Sequence, residues 1–364
     1  MGVDAEHGGM VGWRDRRLIA RLGIEAPIIQ APMAGAGGEA LAIAAMRGGA
    51  LGSLPCATLA PDRIRAQATA VRAAVAGPIN LNFFCHAMPD SVDDAAWRAA
   101  LQPYYDEYGV GPPATAPAAR RPFDAAACAA VEDVRPEVVS FHFGLPPAPL
   151  LDRVRATGAR ILSSATSPDE ARWLAARGVD AVIAQGWEAG GHAARFLPAD
   201  PRSHMGTIAL VPQIVDAVDL PVIAAGGIAD GRGIAAALML GASAVQIGTA
   251  YLACPESLVS ALHRAMLGSQ AAEETVFTNV FTGRLARGFA TRLVSEHGPV
   301  SAIAPPFPFA GDALAELRAA DPAAFANMWA GQAARLARAE PAEALTRRLV
   351  AEARALLDGR AEAG

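Results

Sequence analysis

Eight short apolar segments recur between residues 27 and 250, and segments with helix signals separate them. Each is four to six residues long, which suits a buried strand better than a buried helix. Strands that alternate with helices predict a parallel sheet, and eight such units predict an α/β fold of the closed (β/α)8 TIM-barrel type. The predicted strands are 28–31, 50–54, 79–83, 138–143, 160–164, 181–185, 222–225 and 244–247.

Local capping signals mark two of the intervening helices. Ser167 is followed by proline and then by Glu170, the order of an N-cap, a first-turn proline and a capping-box glutamate, and Gly178 ends that segment. Asp230 occupies the N-cap position of a second helix, which ends at Gly241.

The repeat is interrupted once and ends before the chain does. We expect a flexible leader at 1–14 and a barrel at 15–255, with a long insertion at 86–135. Residues 256–364 show mainly helical periodicity, which predicts a cap or C-terminal subdomain packed on the barrel. A cap over the mouth would cover the carboxyl ends of the strands, where barrel active sites lie.

The chain contains no lysine, because all 31 of its Lys+Arg residues are arginine. Without a lysine amine there is no Schiff base, which excludes pyridoxal-phosphate enzymes and class I aldolases. The P-loop lysine of nucleotide hydrolases is also missing. An anionic ligand must therefore be held by arginine or by backbone amides.

Charge and cysteine content narrow the function further. A net charge of −5 argues against nucleic acid as a partner. No segment reaches the roughly 18 apolar residues of a membrane helix, and no signal peptide is recognisable. The four cysteines are scattered, which predicts no metal site and no disulfide framework and favours the cytoplasm.

The densest candidate for chemistry follows the sixth predicted strand and reads QGWEAGGH over residues 185–192. Glycines here allow a ligand to approach the backbone closely, and His192 could act as a base or as a hydrogen-bond donor. The alternative is a glycine-rich connection with an incidental surface histidine.

A second pattern follows the last two predicted strands. Gly226 and Gly227 follow the seventh strand, and Gly248 and Thr249 follow the eighth. Loops at these places form the recurring phosphate site of barrels, so we expect their amides to hold a phosphate-bearing cofactor. Tight turns without a ligand are the alternative.

A third pattern lies at the first and third strands. Met33, after the first strand, could form an apolar contact with an aromatic ring of a ligand, or it could belong to the hydrophobic core. Asn80 and Asn82 alternate on the third strand and therefore share a face, from which an amide can bond the polar edge of a ring system.

Taken together, the motifs resemble the nitronate monooxygenase family, formerly called 2-nitropropane dioxygenases, over roughly residues 20–350. They read IIQAPMAG, LNFF, SFHFG, QGWEAGGH, VIAAGGIADG, AVQIGTAYL, GRLARG and AGQ, in that order. The resemblance implies non-covalent FMN, dioxygen as co-substrate, and oxidation of alkyl nitronates to a carbonyl compound and nitrite. It places in contact with FMN the residues Met33, Asn82, Gln185, Gly190, Gly191, Gly226, Gly227, Gln246, Ile247, Gly248 and Thr249.

The resemblance also makes His192 the catalytic histidine, either as a base or as a positioning group. His142, at the end of the fourth strand, is a second candidate that could face the substrate. Some relatives use a lysine in the active site, which this chain cannot supply. An acidic substrate would then need an arginine such as Arg284 or Arg287, and the phosphate could be near Arg232.

Two other functions compete with this interpretation. One is an FMN-dependent enoyl-acyl-carrier-protein reductase that uses NAD(P)H, and the other is a flavin-binding barrel without catalysis. All three interpretations imply a small-molecule ligand. In the nitronate monooxygenase interpretation that ligand is a nitronate or nitroalkane, and we expect the protein to be a monomer or homodimer.

Overall fold

The computed structural model describes residue 13 and residues 15–113, 120–198 and 200–359. Its eight parallel strands are β1 Ile28–Gln30, β2 Gly52–Pro55, β3 Ile79–Phe84, β4 Val138–His142, β5 Arg160–Ala165, β6 Ala181–Gln185, β8 Val222–Ala225 and β9 Ala244–Ile247. A smaller antiparallel sheet contains β7 Gly191–His192, β10 Thr275–Thr278 and β11 Ala286–Phe289. The eight predicted strands are confirmed, each with both ends within two residues of the prediction.

The large sheet is a barrel. Its strands are ordered β1-β9-β8-β6-β5-β4-β3-β2, and a parallel bridge between Ile29 and Leu51 joins the two outer strands. The amide of Gln30 donates to the carbonyl of Leu51, and the amide of Leu51 donates to the carbonyl of Ile28, each over 2.9 Å. The sheet therefore closes, and the predicted TIM barrel is confirmed.

Helices cover the outside of the barrel and build the cap. They are α1 Arg17–Leu22, α2 Glu39–Arg47, α3 Pro61–Ala74, α4 Ala95–Tyr108, α5 Ala125–Val134, α6 Ala148–Ala156, α7 Pro168–Ala175, α8 Thr207–Ala217, α9 Gly231–Met239, α10 Thr249–Leu252, α11 Ala261–Gly268, α12 Arg292–His297, α13 Ala315–Ala320, α14 Pro322–Phe325 and α15 Ala342–Leu357. The last of them, α15, packs against α9 and α2 and so occupies the eighth helix position of the barrel. The chain leaves the barrel after β9, builds the cap, and then returns.

The described residues of the predicted insertion 86–135 contain two helices with different partners. Helix α5 packs against α3 and α6 as a barrel helix. Helix α4 belongs to the cap, where Trp97 and Tyr105 are buried with Phe281, Leu317 and Phe325.

Of the predicted leader, residues 1–12 and 14 lie outside the described residues. Trp13 is buried, and the guanidinium of Arg354 lies 5.0 Å from its ring centre. None of the helices in the described part of the chain combines the length and hydropathy needed to cross a membrane.

Both predicted helix caps are confirmed. Ser167 accepts a hydrogen bond from the amide of Glu170, and Asp230 accepts from the amides of Arg232 and Gly233. The carboxylate of Glu170 departs from the capping-box pattern, because it accepts from the amide and hydroxyl of Thr166 and from the amides of Phe196 and Leu197. It thereby fixes the loop that follows His192.

We predict that Glu170→Gln destabilises the protein by about 2 kcal/mol, because a buried carboxylate with four donors is replaced by an amide that brings donors of its own. Asp169→Asn is the matched control. The side chain of Asp169 is 83% exposed and pairs with Arg172, so its loss should cost less than about 1 kcal/mol. Urea denaturation measures both changes, and equal losses for the two variants would contradict the assignment.

Candidate active site

A cavity of about 480 Å³ opens at the carboxyl ends of the barrel strands, beneath the cap. All but one of the predicted site residues line it. They are Met33, Asn82, His142, Gln185, Gly190, Gly191, His192, Gly226, Gly227, Gln246, Gly248 and Thr249. The exception is Ile247, whose side chain is buried in the hydrophobic core.

The two asparagines of β3 have different surroundings. Asn80 lies deep in the barrel, where its amide nitrogen donates to the Ser53 hydroxyl over 2.9 Å. Asn82 is one pleat closer to the mouth, lines the cavity, and donates to the hydroxyl and carbonyl of Ser140. Only Asn82 is therefore placed to contact a ligand.

His192 joins the barrel to the cap. It follows Gly191 in the short strand β7, which pairs with Ala286 and Arg287 of β11. Its Nε2 lies 2.9 Å from the hydroxyl of Thr282, and that hydroxyl also donates to the carbonyl of Arg284 over 3.3 Å.

Aromatic rings surround the His192 imidazole. The ring centres of Phe307, Trp329 and Phe143 lie 5.2, 5.6 and 5.9 Å from it. Burial lowers the pKa of His192 well below its usual range, and the nearby charge of Arg120 lowers it further. His192 is therefore neutral at physiological pH.

Two other side chains hold the backbone of His192. The amide nitrogen of Gln185 donates to the His192 carbonyl over 3.1 Å, while its oxygen accepts from the amide of Ala194. Nε2 of His142 lies 3.2 Å from the same carbonyl and must be its donor, because a carbonyl can only accept. Burial also lowers the pKa of His142, to about 4.

The loop after β6 packs closely against the AGQ segment, residues 330–332. A Cβ atom on Gly190 would lie 2.6 Å from the backbone nitrogen of Gly331, so only glycine fits at position 190. The amide of Gly331 donates to the Thr249 hydroxyl, and that of Gln332 donates to the carbonyl of Glu188. The AGQ segment therefore ties the loop after β6 to the loop after β9.

The two glycine turns have amides available for a ligand. Gly226 and Gly227 have φ angles of 113° and 72°, which favour glycine. Within the described residues, the amides of Gly226, Gly227, Gly248 and Thr249 donate to no acceptor. Helix α10, which follows the second turn, has only four residues, so the turn amides themselves would have to bind an anion.

The expectations for three arginines need correction. Arg232 forms an ion pair with Asp230. Its side chain is 74% exposed and does not line the cavity. Arg287 donates to the carbonyls of Trp187 and Thr275, and Arg284 lies 3.9 Å above the ring of Phe143 and donates to the carbonyl of Arg195. Neither Arg284 nor Arg287 lines the cavity.

Several lining residues had no sequence signal. Arg120 reaches the cavity from the segment before α5, and His263, Asn327 and Trp329 reach it from the C-terminal part. Thr282, which bonds His192, stands within no predicted motif. The motifs that pointed to this side of the site are AGQ at 330–332 and GRLARG at 283–288, which begins one residue after Thr282.

Comparison with known proteins gives consistent results. The nitronate monooxygenase family model matches residues 15–352. A nitronate monooxygenase of Pseudomonas aeruginosa is 43% identical, with 93% of this chain and 99% of that protein covered. The structure of a nitroalkane oxidase from Streptomyces ansochromogenes superposes with a TM-score of 0.86 at 35% identity, covering 94% of this chain and 99% of that one. FabK from Thermotoga maritima is more distant, with a TM-score of 0.70 at 25% identity and coverages of 95% and 98%.

We predict that Gly190→Ala destabilises the protein by about 1 to 3 kcal/mol, because its methyl group would push against the backbone of Ala330 and Gly331. Gly268→Ala is the control, since a Cβ there meets no atom within 4 Å at the end of α11. Thermal unfolding measures both variants. A Gly190→Ala protein as stable as the control would show that the close approach is unimportant.

We also predict that stability falls as the pH drops from about 6.5 towards 4. His142 and His86 have folded pKa values of about 4 because burial disfavours the imidazolium. In the unfolded chain the pKa is about 6.5, so that state binds more protons below this pH and is favoured there.

The melting temperature should therefore decline over this range, and less steeply in a His142→Gln variant. The variant removes one of the protonations while leaving the carboxylates unchanged. Identical pH dependence of the two proteins would contradict the prediction.

Proposed function

The chain belongs to the nitronate monooxygenase family, and on that premise we propose that it binds FMN and uses dioxygen to convert alkyl nitronates into carbonyl compounds and nitrite. The family is flavin-dependent, so the chain is a flavin-dependent oxidoreductase. The observation that carries the proposal is a single cavity that joins His192 to the two glycine turns.

The residues of this cavity fit FMN. The side-chain oxygen of Gln246 is buried and has no partner within the described residues, as expected of a group that bonds the polar edge of a flavin ring. Asn82 and Gln185 bring further side-chain amides to the cavity lining, and Met33 offers an apolar contact. The amides of Gly226, Gly227, Gly248 and Thr249 would hold the phosphate without a lysine.

Bound FMN supplies the electron transfer between the nitronate and dioxygen, which no side chain of this protein can perform. The chain's own residues bind the substrate, hold it beneath the cap and exclude water. The rings of Phe307, Trp329 and Phe143 surround His192 and offer few groups that could hold water beside it.

The hydrogen bonds around His192 indicate which of its nitrogens can act. When the Thr282 hydroxyl donates to the carbonyl of Arg284, its oxygen accepts the proton on Nε2 of His192. Nδ1 is then unprotonated, and it has no partner within the described residues. We assign to Nδ1 the removal of the α-proton from a neutral nitroalkane, a step that a nitronate does not require.

His142 acts through His192 in this proposal. It holds the His192 carbonyl from the cavity wall, together with Gln185. The enzyme is proposed to act in the cytoplasm, as a monomer or homodimer. The four unpaired cysteines support a reducing compartment.

We predict that the purified protein is yellow and releases FMN when denatured. Chromatography of the supernatant distinguishes FMN from FAD. A colourless protein that gains no flavin absorbance on incubation with FMN would contradict the cofactor assignment.

The reaction is tested by mixing the protein anaerobically with propane 2-nitronate, with NADH and with NADPH. We expect rapid bleaching of the flavin by the nitronate, followed in air by nitrite release. Bleaching by a nicotinamide alone would favour an enoyl-acyl-carrier-protein reductase, and bleaching by no reductant would favour a non-catalytic flavin-binding barrel.

His192→Asn should retain the flavin and lose about 100-fold or more of its turnover with neutral 2-nitropropane. Turnover with the nitronate should fall much less, because that substrate has already lost its proton. Equal losses with the two substrates would assign His192 a positioning role instead.

A further inference from the structure

One cation on the cavity wall has no hydrogen-bond acceptor or ion-pair partner for its side chain within the described residues. Arg120 lines the cavity, and within the described residues it is the only arginine that does so. Its guanidinium donates no hydrogen bond and forms no ion pair within 4.0 Å in that part of the chain. Its backbone carbonyl alone is engaged, by Nε2 of His86 at 3.1 Å.

Arg120 is partly buried, and its guanidinium remains accessible from the cavity. Burial lowers the pKa of Arg120, and the nearest compensating charge is Asp312, with which it forms no ion pair. A guanidinium removed from water normally recovers its lost hydration through hydrogen bonds to a carboxylate or to carbonyls. Arg287, which is buried, and Arg284, which is partly buried, each donate to carbonyls in this way.

Arg120 and His192 face the same space. After burial, the charge of Arg120 is the largest contribution to the lowered pKa of His192, ahead of those of His142 and Arg284. The cavity lining includes one carboxylate, that of Glu188, which accepts hydrogen bonds from the amide and hydroxyl of Thr207. The wall near His192 is therefore positive and lacks an anion.

We propose that Arg120 binds the planar nitronate group of the substrate and selects this anion over the neutral nitroalkane. The proposal rests on the proposed function above. A nitronate has two oxygen atoms in one plane and a delocalised negative charge, as a carboxylate has. This is the shape that the fork of a guanidinium binds with two parallel hydrogen bonds.

The test compares Arg120→Gln and Arg120→Lys with the wild-type holoenzyme. Arg120→Gln should raise KM for propane 2-nitronate about 10- to 100-fold, because a charge-assisted pair is lost. Its KM for neutral 2-nitropropane should stay within about twofold. The KM of Arg120→Lys for propane 2-nitronate should lie between those of the wild type and Arg120→Gln, because lysine restores the charge but not the forked pair of donors.

Arg121→Gln is the matched control, because Arg121 is the exposed neighbour and does not line the cavity. It should leave both KM values unchanged. Flavin content and melting temperature, measured for every variant, identify any that fails to fold. If Arg120→Gln folds poorly, the smaller rise in nitronate KM expected of Arg120→Lys tests the proposal instead.

A binding measurement without turnover separates this proposal from the proposed function. Isothermal titration calorimetry of the wild type should show tighter binding of benzoate than of benzamide, its uncharged analogue. Arg120→Gln should lose this preference, and Arg121→Gln should keep it.

Unchanged nitronate KM and unchanged benzoate preference in Arg120→Gln would overturn the proposal while leaving the enzyme assignment intact. If nitronates fail to react with the wild type but benzoate binding still depends on Arg120, the proposed function is wrong and the anion site stands.

Discussion

The site depends on one short antiparallel pairing, in which Gly191 and His192 lie against Arg287 and Ala286 of the cap. The loop after β6 would otherwise be a flexible glycine-rich connection at the mouth of the barrel. Paired with β11, it presents the imidazole of His192 to Thr282 and to a ring of aromatic side chains. The position of His192 thus depends on two parts of the chain, and neither part holds it alone.

The same junction explains the electrostatics of the cavity. The cap covers the carboxyl ends of the strands and partly buries His142 and His192, which lowers both pKa values and keeps both imidazoles neutral. Beneath the cap, the oxygen of Gln246 and the turn amides at Gly226 and Gly248 have no partner in the described part of the chain. Neutral imidazoles beside unsatisfied donors and acceptors suit a cofactor that has both polar and apolar parts, and a small anionic substrate.

The barrel and its glycine loops could be predicted because their signals are local. Strand length, the caps at Ser167 and Asp230, and the glycine turns each depend on a few neighbouring residues, and the topology of a closed barrel brings the strand ends together. The cap could not be predicted in the same way. Thr282 meets His192 across 90 residues, and α15 completes the barrel only after the chain has built the whole cap. Such contacts depend on packing between distant segments and leave no short-range periodicity to detect.

The absence of lysine, which at first only excludes chemistry, bears on the site as well. A lysine buried beneath the cap could lose its proton, because desolvation disfavours the ammonium and its pKa shifts readily. The guanidinium of an arginine starts from a pKa so high that burial lowers it without neutralising it near pH 7. Arg120 therefore keeps its charge beside a neutral His192, and the two groups are suited to different roles. In the roles proposed above, the arginine would attract the anion, while the imidazole would accept a proton.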